Sequence, residues 1–244
     1  MTRGTETSAR LPLPPLPRPL GVPLSWAYSA AIRRINRKFD RGRGVVRFDR
    51  AVISVGNLSV GGTGKTPMVK WLARALVEAG HRPCIAMRGY GAGKGQSDEA
   101  GEYERDLSGV PVVAQANRTL GLIQLFSREH DADGPHSDVV ILDDGFQHRR
   151  IARDLDIVLI DATRNPFADR LLPAGWLREP VDSLRRAGAV VITHAESANA
   201  AEVTALDRRI ADCRGGEGAV AVCRHVWTVF DVQRGDAPES VPLS

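Results

Sequence analysis

An α/β domain built on a mostly parallel sheet is predicted from three observations. From residue 51 onward, short apolar runs alternate with stretches of helical periodicity. The runs are short and apolar enough to be strands covered on both faces. A glycine-rich turn stands between the first run and the helix after it. Strands interleaved with helices imply crossover connections, which make neighbouring strands parallel.

The elements follow in order. Six of the 15 prolines are Pro12, Pro14, Pro15, Pro17, Pro19 and Pro23, so residues 1–22 are expected to be disordered or extended. From Leu24, the side chains Leu24, Tyr28, Ala31, Ile32, Ile35 and Phe39 recur at helical spacing, with Arg33, Arg34, Arg37 and Lys38 between them. This predicts an N-terminal amphipathic helix over about 24–39, inside a basic segment 23–44. Two roles fit it: packing on the core with a solvated basic face, or lying on anionic lipid with Trp26 and Tyr28 at headgroup depth. Strands are predicted at 51–55, 83–87, 110–114, 139–142, 157–160, 190–193 and 219–222. Helices are predicted at 67–79, where Gly80 ends the run, at 119–129 and at 200–211. Residues 45–218 thus form the core, and 219–244, with a polar, proline-containing end, begin a further portion.

Charge and cysteine use exclude several classes. The 244-residue chain has 43% apolar and 25% charged residues, ordinary for a folded chain. Its net charge of +4 is uneven: residues 1–50 carry 11 basic and 3 acidic side chains, a net +8, which leaves −4 for the rest. A mildly acidic body argues against nucleic acid as partner, and the basic arm points to an anionic surface. Three cysteines without a CxxC pair support neither a disulfide framework nor a zinc site. No apolar run is long enough to cross a bilayer, and the proline-rich N-terminus lacks the apolar core of a signal peptide.

The strongest motif is Gly56-Asn57-Leu58-Ser59-Val60-Gly61-Gly62-Thr63-Gly64-Lys65-Thr66. Between a strand and a helix it reads as a P-loop, with Ser59 where the strict pattern has its first glycine. Ser59, Val60, Gly61, Gly62, Thr63, Gly64, Lys65 and Thr66 are the expected nucleotide cradle. Glycines let backbone N–H groups turn toward phosphate, and the helix adds its positive end. Lys65 would reach the outer phosphates and the Thr66 hydroxyl would bind Mg²⁺. The apolar run 139–142 ends in Asp143-Asp144, a carboxylate pair placed to hold the metal, and Gly145-Phe146-Gln147-His148 follow. The stretch Thr193-His194-Ala195-Glu196 lacks the Lys and Asp of a guanine-specific loop, so an adenine nucleotide is expected. The stretches 88–91 and 171–180 lie beyond strand ends, where ligands sit in open α/β sheets.

Together these pieces resemble the tetraacyldisaccharide 4′-kinase family. The resemblance rests on Pro23-Leu24-Ser25-Trp26, residues 53–67, Arg88-Gly89-Tyr90-Gly91, Asp98-Glu99, Asn117-Arg118, residues 143–149, Arg153-Asp154 and residues 171–180, in family order. It implies a P-loop NTPase-like sheet and ATP- and Mg²⁺-dependent phosphorylation of the 4′-hydroxyl of a tetraacylated disaccharide 1-phosphate. The implied setting is a monomer at the cytosolic face of the bacterial inner membrane. By position, Lys65 and Asp144 act in catalysis, Thr66, Asp143 and Asp144 at the metal, and Asp98 as the base for the sugar hydroxyl. Arg88, Arg118, Gln147 and Glu179 match polar residues of the same cleft. Two departures stand out. Residues 92–97 are shorter than the usual insert, and the family's C-terminal portion, with its histidine partner for the catalytic carboxylate, has no counterpart; His225 does not match it. The chain is therefore expected to be a fragment or a truncated protein. A membrane-recruited ATPase switch and an ATP-binding remnant without catalysis share the P-loop and remain as alternatives.

Overall fold

The computed structural model describes residues 16–89, 98–132, 134–216, 219–224, 229–234 and 237–242. The chain opens with α1 (Arg18–Asp40), β1 (Ala51–Asn57), α2 (Lys65–Glu78), β2 (Pro83–Met87), α3 (Asp98–Asp106) and β3 (Val112–Ala114). It continues with α4 (Arg118–His130), β4 (Val139–Asp143), β5 (Leu155–Asp161), β6 (Ala189–Thr193), α5 (Ala200–Cys213) and β7 (Ala219–Val222). A hairpin of β8 (Val229–Arg234) and β9 (Ala237–Pro242) ends it.

Strands β1 to β7 form one sheet in the order β3-β2-β4-β1-β5-β6-β7, and every pair is parallel. β1 lies at its centre. The register sets Val55 opposite Asp143, so the ends of β1 and β4 open side by side. This order places the glycine-rich turn after β1 next to the carboxylate pair after β4.

Alternation along each strand explains the layers. Val55, Ile85, Ile141, Leu159 and Val191 face one side of the sheet, where Val69 and Ala73 of α2 and Ala100 and Tyr103 of α3 cover them. Cys84, Val140 and Leu142 face the other side under Leu122 and Leu125 of α4. Val158, Val190 and Ile192 face that same side under Leu206 and Ile210 of α5. Burial on both faces is what parallel strands demand. α4 starts on an Asn117 cap, whose side chain accepts from the Leu120 amide, and α5 on a capping box of Asn199 and Glu202.

Several boundaries differ from expectation. α1 begins at Arg18, inside the stretch expected to be disordered or extended, because Pro19 sits in its first turn, where a missing N–H costs nothing. It ends at Asp40, and residues 41–44 are turns. Residues 1–15 lie outside the described residues. The third strand starts at Val112 rather than at residue 110, and α3 is a full helix over the acidic run 98–106. The polar end of the chain, residues 234–244, contains all of β9, a paired strand without an apolar signature. His225 lies outside the described residues.

The centre of the sheet carries the stability. Ile141 is 0% exposed in β4, whereas Ile123 of α4 is 47% exposed. Ile141→Ala should lower the unfolding free energy by about 2–5 kcal/mol in urea titration, and Ile123→Ala by no more than about 0.5 kcal/mol. Equal effects at the two positions would contradict this layering.

Candidate active site

The turn between β1 and α2 is braced from several sides. The Asn57 amide donates to the Thr63 hydroxyl at 2.9 Å, and the Thr193 hydroxyl at the end of β6 donates to the Thr63 carbonyl at 3.1 Å. Gly64 takes a left-handed φ of 78°, which lets the chain enter α2 directly at Lys65. Neither Asn57 nor Thr193 was expected to matter. The available signal was a polar residue at the end of each of two largely apolar strands.

The stretch 171–180 is a wall of the same site. The Val60 amide donates to the Trp176 carbonyl at 2.8 Å, the Arg178 amide donates to the Leu58 carbonyl at 2.7 Å, and Ser59 forms an isolated antiparallel bridge with Leu177. Ser59 and Val60, expected in the cradle, are thus committed to this wall.

The turn after β4 lies hard against β1. A Cβ on Gly56 would come within 2.6 Å of the Phe146 Cβ, so only glycine permits this approach. The two carboxylates there have opposite surroundings. Asp143 is 6% exposed and accepts from the Tyr103 hydroxyl at 3.0 Å. Burial raises its pKa, the Tyr103 hydrogen bond opposes that, and the neighbouring Asp144 charge adds to the rise. Asp144 sits at a left-handed φ of 49°. Its carboxylate accepts from the Arg178 guanidinium at 2.8 and 2.9 Å and lies 3.7 Å from Lys65 Nζ. Burial alone would raise the Asp144 pKa, but the Arg178 and Lys65 cations overcome it and hold the carboxyl below its usual range.

Arg118, the first residue of α4 and 3% exposed, donates to the Asp144 carbonyl at 3.1 Å. The Gln147 amide donates to the Asn57 carbonyl at 2.8 Å, while its Oε1 is buried with no partner in the structure. Glu179 is 2% exposed, and its carboxylate accepts from Asn36, Ser183 and Arg186. It therefore clasps α1 to the wall. Arg88, Arg118, Asp144, Gln147, Arg178 and Glu179 line one cavity of about 830 Å³ with Val60 and His148. Tyr28, Ile32 and Ile35 of α1 close its other side. Asp98 opens α3, but its side chain lies outside the described residues, as do residues 90–97, which hold Tyr90, Gly91 and the short insert.

α1 meets the wall through hydrogen bonds. The Ser25 hydroxyl donates to the Leu171 carbonyl at 2.7 Å and the Tyr28 hydroxyl to the Arg178 carbonyl at 2.9 Å. This corrects the placement of Tyr28 at headgroup depth: it points into the protein. Trp26 is 74% exposed, and Leu20, Leu24 and Ile35 are exposed as well. Among the described residues no helix is long and apolar enough to cross a membrane.

The oxygen-rich donor set of Thr66, Asp143 and Asp144 fits a hard cation such as Mg²⁺. Among the described residues no group of three or more His, Cys, Asp or Glu side chains forms a metal cluster.

The family model described as tetraacyldisaccharide-1-P 4′-kinase matches residues 18–225. The tetraacyldisaccharide 4′-kinase of Geobacter sulfurreducens is 39% identical over 217 residues, covering 81% of this chain and 58% of that protein. That of Geobacter metallireducens is 40% identical over 208 residues, covering 79% and 60%. The chain thus spans a little over half the length of these curated relatives. The crystal structure of the "apo" form of LpxK from Aquifex aeolicus in complex with ATP superposes with a TM-score of 0.64 at 39% identity, covering 72% of this chain and 58% of that one.

Burial, helped by the charges of Arg118, Arg153, Arg150 and Arg88, lowers the His148 pKa from 6.5 to about 4. The unfolded chain binds this proton below its own higher pKa while the folded chain resists it. The stability tied to neutral His148 is therefore full above the unfolded value and falls as pH drops from 6.5 to about 4. His148→Gln should remove about 1–3 kcal/mol of acid destabilisation over that window, read from urea midpoints. An unchanged pH slope would contradict a buried neutral imidazole.

Proposed function

The chain belongs to the tetraacyldisaccharide-1-P 4′-kinase family, and we propose that it binds Mg²⁺·ATP and transfers the γ-phosphate to the 4′-hydroxyl of a tetraacylated disaccharide 1-phosphate at a membrane surface. One observation carries the reading: a single cavity has the Asp144 and Arg178 side chains on one wall and the apolar side chains of α1 on another. A cleft polar at one end and greasy at the other suits an acceptor that is a sugar joined to acyl chains.

Backbone amides from Gly61 to Thr66 and the Lys65 ammonium would hold the phosphates, since Val60 is engaged elsewhere. Thr66 and Asp143 would hold Mg²⁺, with Asp144 beside them; when bound, the ion neutralises charge on the phosphate oxygens. Arg118 and Arg178 keep Asp144 ionised and in place. Asp98, at the start of α3, accepts the proton of the acceptor hydroxyl as the new oxygen–phosphorus bond forms. Phosphoryl transfer needs little more than such positioning and charge balance. The hydrogen bonding of α1 to the wall favours this reading over a switch that uses α1 as a detachable anchor.

The membrane surface follows from the other side of α1. Arg34, Lys38 and Arg41 are exposed and line a groove with Ile35 and Arg43. Such a mixture suits an anionic bilayer interface, here the cytosolic face of the inner membrane.

Two measurements test this. Asp98→Asn should lower lipid phosphorylation in detergent micelles by roughly 10²–10⁴-fold with ATP affinity preserved; equal losses of both would remove Asp98 from its role. Replacing Arg34, Lys38 and Arg41 together by Gln should weaken sedimentation with anionic vesicles by roughly tenfold to hundredfold at low salt. Unchanged binding would exclude this face as the membrane contact.

A further inference from the structure

Tyr103 is the largest fully buried side chain among the described residues, 0% exposed and packed among Val55, Val69 and Ile141. A phenol so deep in an apolar cluster needs partners for its oxygen. The hydroxyl donates to Asp143 Oδ2 at 3.0 Å, and Thr66 lies near enough to oppose the rise in the phenol pKa. Burial, then the Asp143 charge, push the phenol pKa up, so it stays a protonated donor. Asp143 and Thr66 are among the residues expected to hold Mg²⁺.

Tyr103 also sits five residues after Asp98 on the same helix. α3 is held to the P-loop helix by Lys70 of α2, which pairs with Glu102 and Asp106 on the flanks of Tyr103. The helix bearing the expected base is thus anchored at its far end by ion pairs and at its middle by the phenol.

We propose that Tyr103 is a positioning residue whose phenol fixes the orientation of the Asp143 carboxylate beside Thr66 and ties it to the helix that begins at Asp98. This rests on the reading of Thr66 and Asp143 as Mg²⁺ ligands. By donating to Oδ2, the phenol holds the Asp143 carboxylate in one orientation. Outer partners that orient a ligating carboxylate set much of a metal's affinity. A residue that merely filled space would affect packing and nothing else.

The test uses Tyr103→Phe, which keeps the ring and removes one oxygen. Mn²⁺ serves as the probe ion, titrated by paramagnetic resonance into the 244-residue chain with ATP present. The variant should bind Mn²⁺ about tenfold more weakly and bind ATP in EDTA as the parent does. Its kcat should fall while its KM for ATP holds. Unchanged Mn²⁺ affinity, or parallel losses of Mn²⁺ and ATP affinity with a lowered melting temperature, would overturn the proposal. Should the variant not fold, the ¹³Cζ resonance of Tyr103 in the parent chain decides: it should shift when Mg²⁺ joins the ATP complex, and a fixed resonance would overturn the proposal. None of the binding readouts uses lipid, so a parent chain that binds Mn²⁺ and ATP but phosphorylates no lipid would count against the kinase reading alone.

Discussion

Arg178 is where three parts of the molecule meet. Its guanidinium neutralises Asp144 at the end of β4, its amide donates to the Leu58 carbonyl at the root of the P-loop, and its carbonyl accepts the Tyr28 hydroxyl from α1. A left-handed aspartate beside a second aspartate is costly twice over, in backbone strain and in charge repulsion. Arg178 and Lys65 offset the charge, and the arginine's backbone binds the wall to the glycine-rich loop after β1. The cleft exists because these contacts hold its sides at fixed spacing.

The two carboxylates gain distinct characters from this arrangement. Asp144 is kept ionised by cations; Asp143 is kept dry and oriented by one phenol. Adjacent residues with the same chemistry are thereby divided, one facing the cleft and its arginines and the other facing the core. Glu179 shows the reverse outcome: with Asn36, Ser183 and Arg186 all donating to it, it acts as a clasp.

The sheet and its core helices were readable in the sequence because each carries a local signal: apolar strands, helical periodicity at 119–129, a Gly-Lys-Thr turn before α2. Lys65, Thr66, Asp143 and Asp144 were readable because their neighbours form motifs whose backbone role is general. Arg178, Asn57, Thr193 and Tyr103 were not, since each acts across a separation in sequence that no local pattern encodes. Arg178 and Asp144, for example, are 34 residues apart. α3 was missed as a full helix because its acidic run 98–106 looks solvated; its one buried aromatic and its ion pairs to Lys70 supply what periodicity lacks. The two-sided use of α1, hydrogen-bonded inward through Ser25 and Tyr28 while Leu24 and Ile35 stay exposed, defeats a simple amphipathic pattern.

Hydrogen exchange on Arg178→Met tests the coupling most directly. Without the guanidinium, Asp144 loses its main counter-ion and the wall loses its side-chain tie to the end of β4. The Val60 and Arg178 amides and the C-terminal half of α1 should then exchange roughly tenfold faster or more, with α5 unchanged. Unaltered protection of the P-loop and α1 in that variant would contradict the claim that one arginine holds the cleft together.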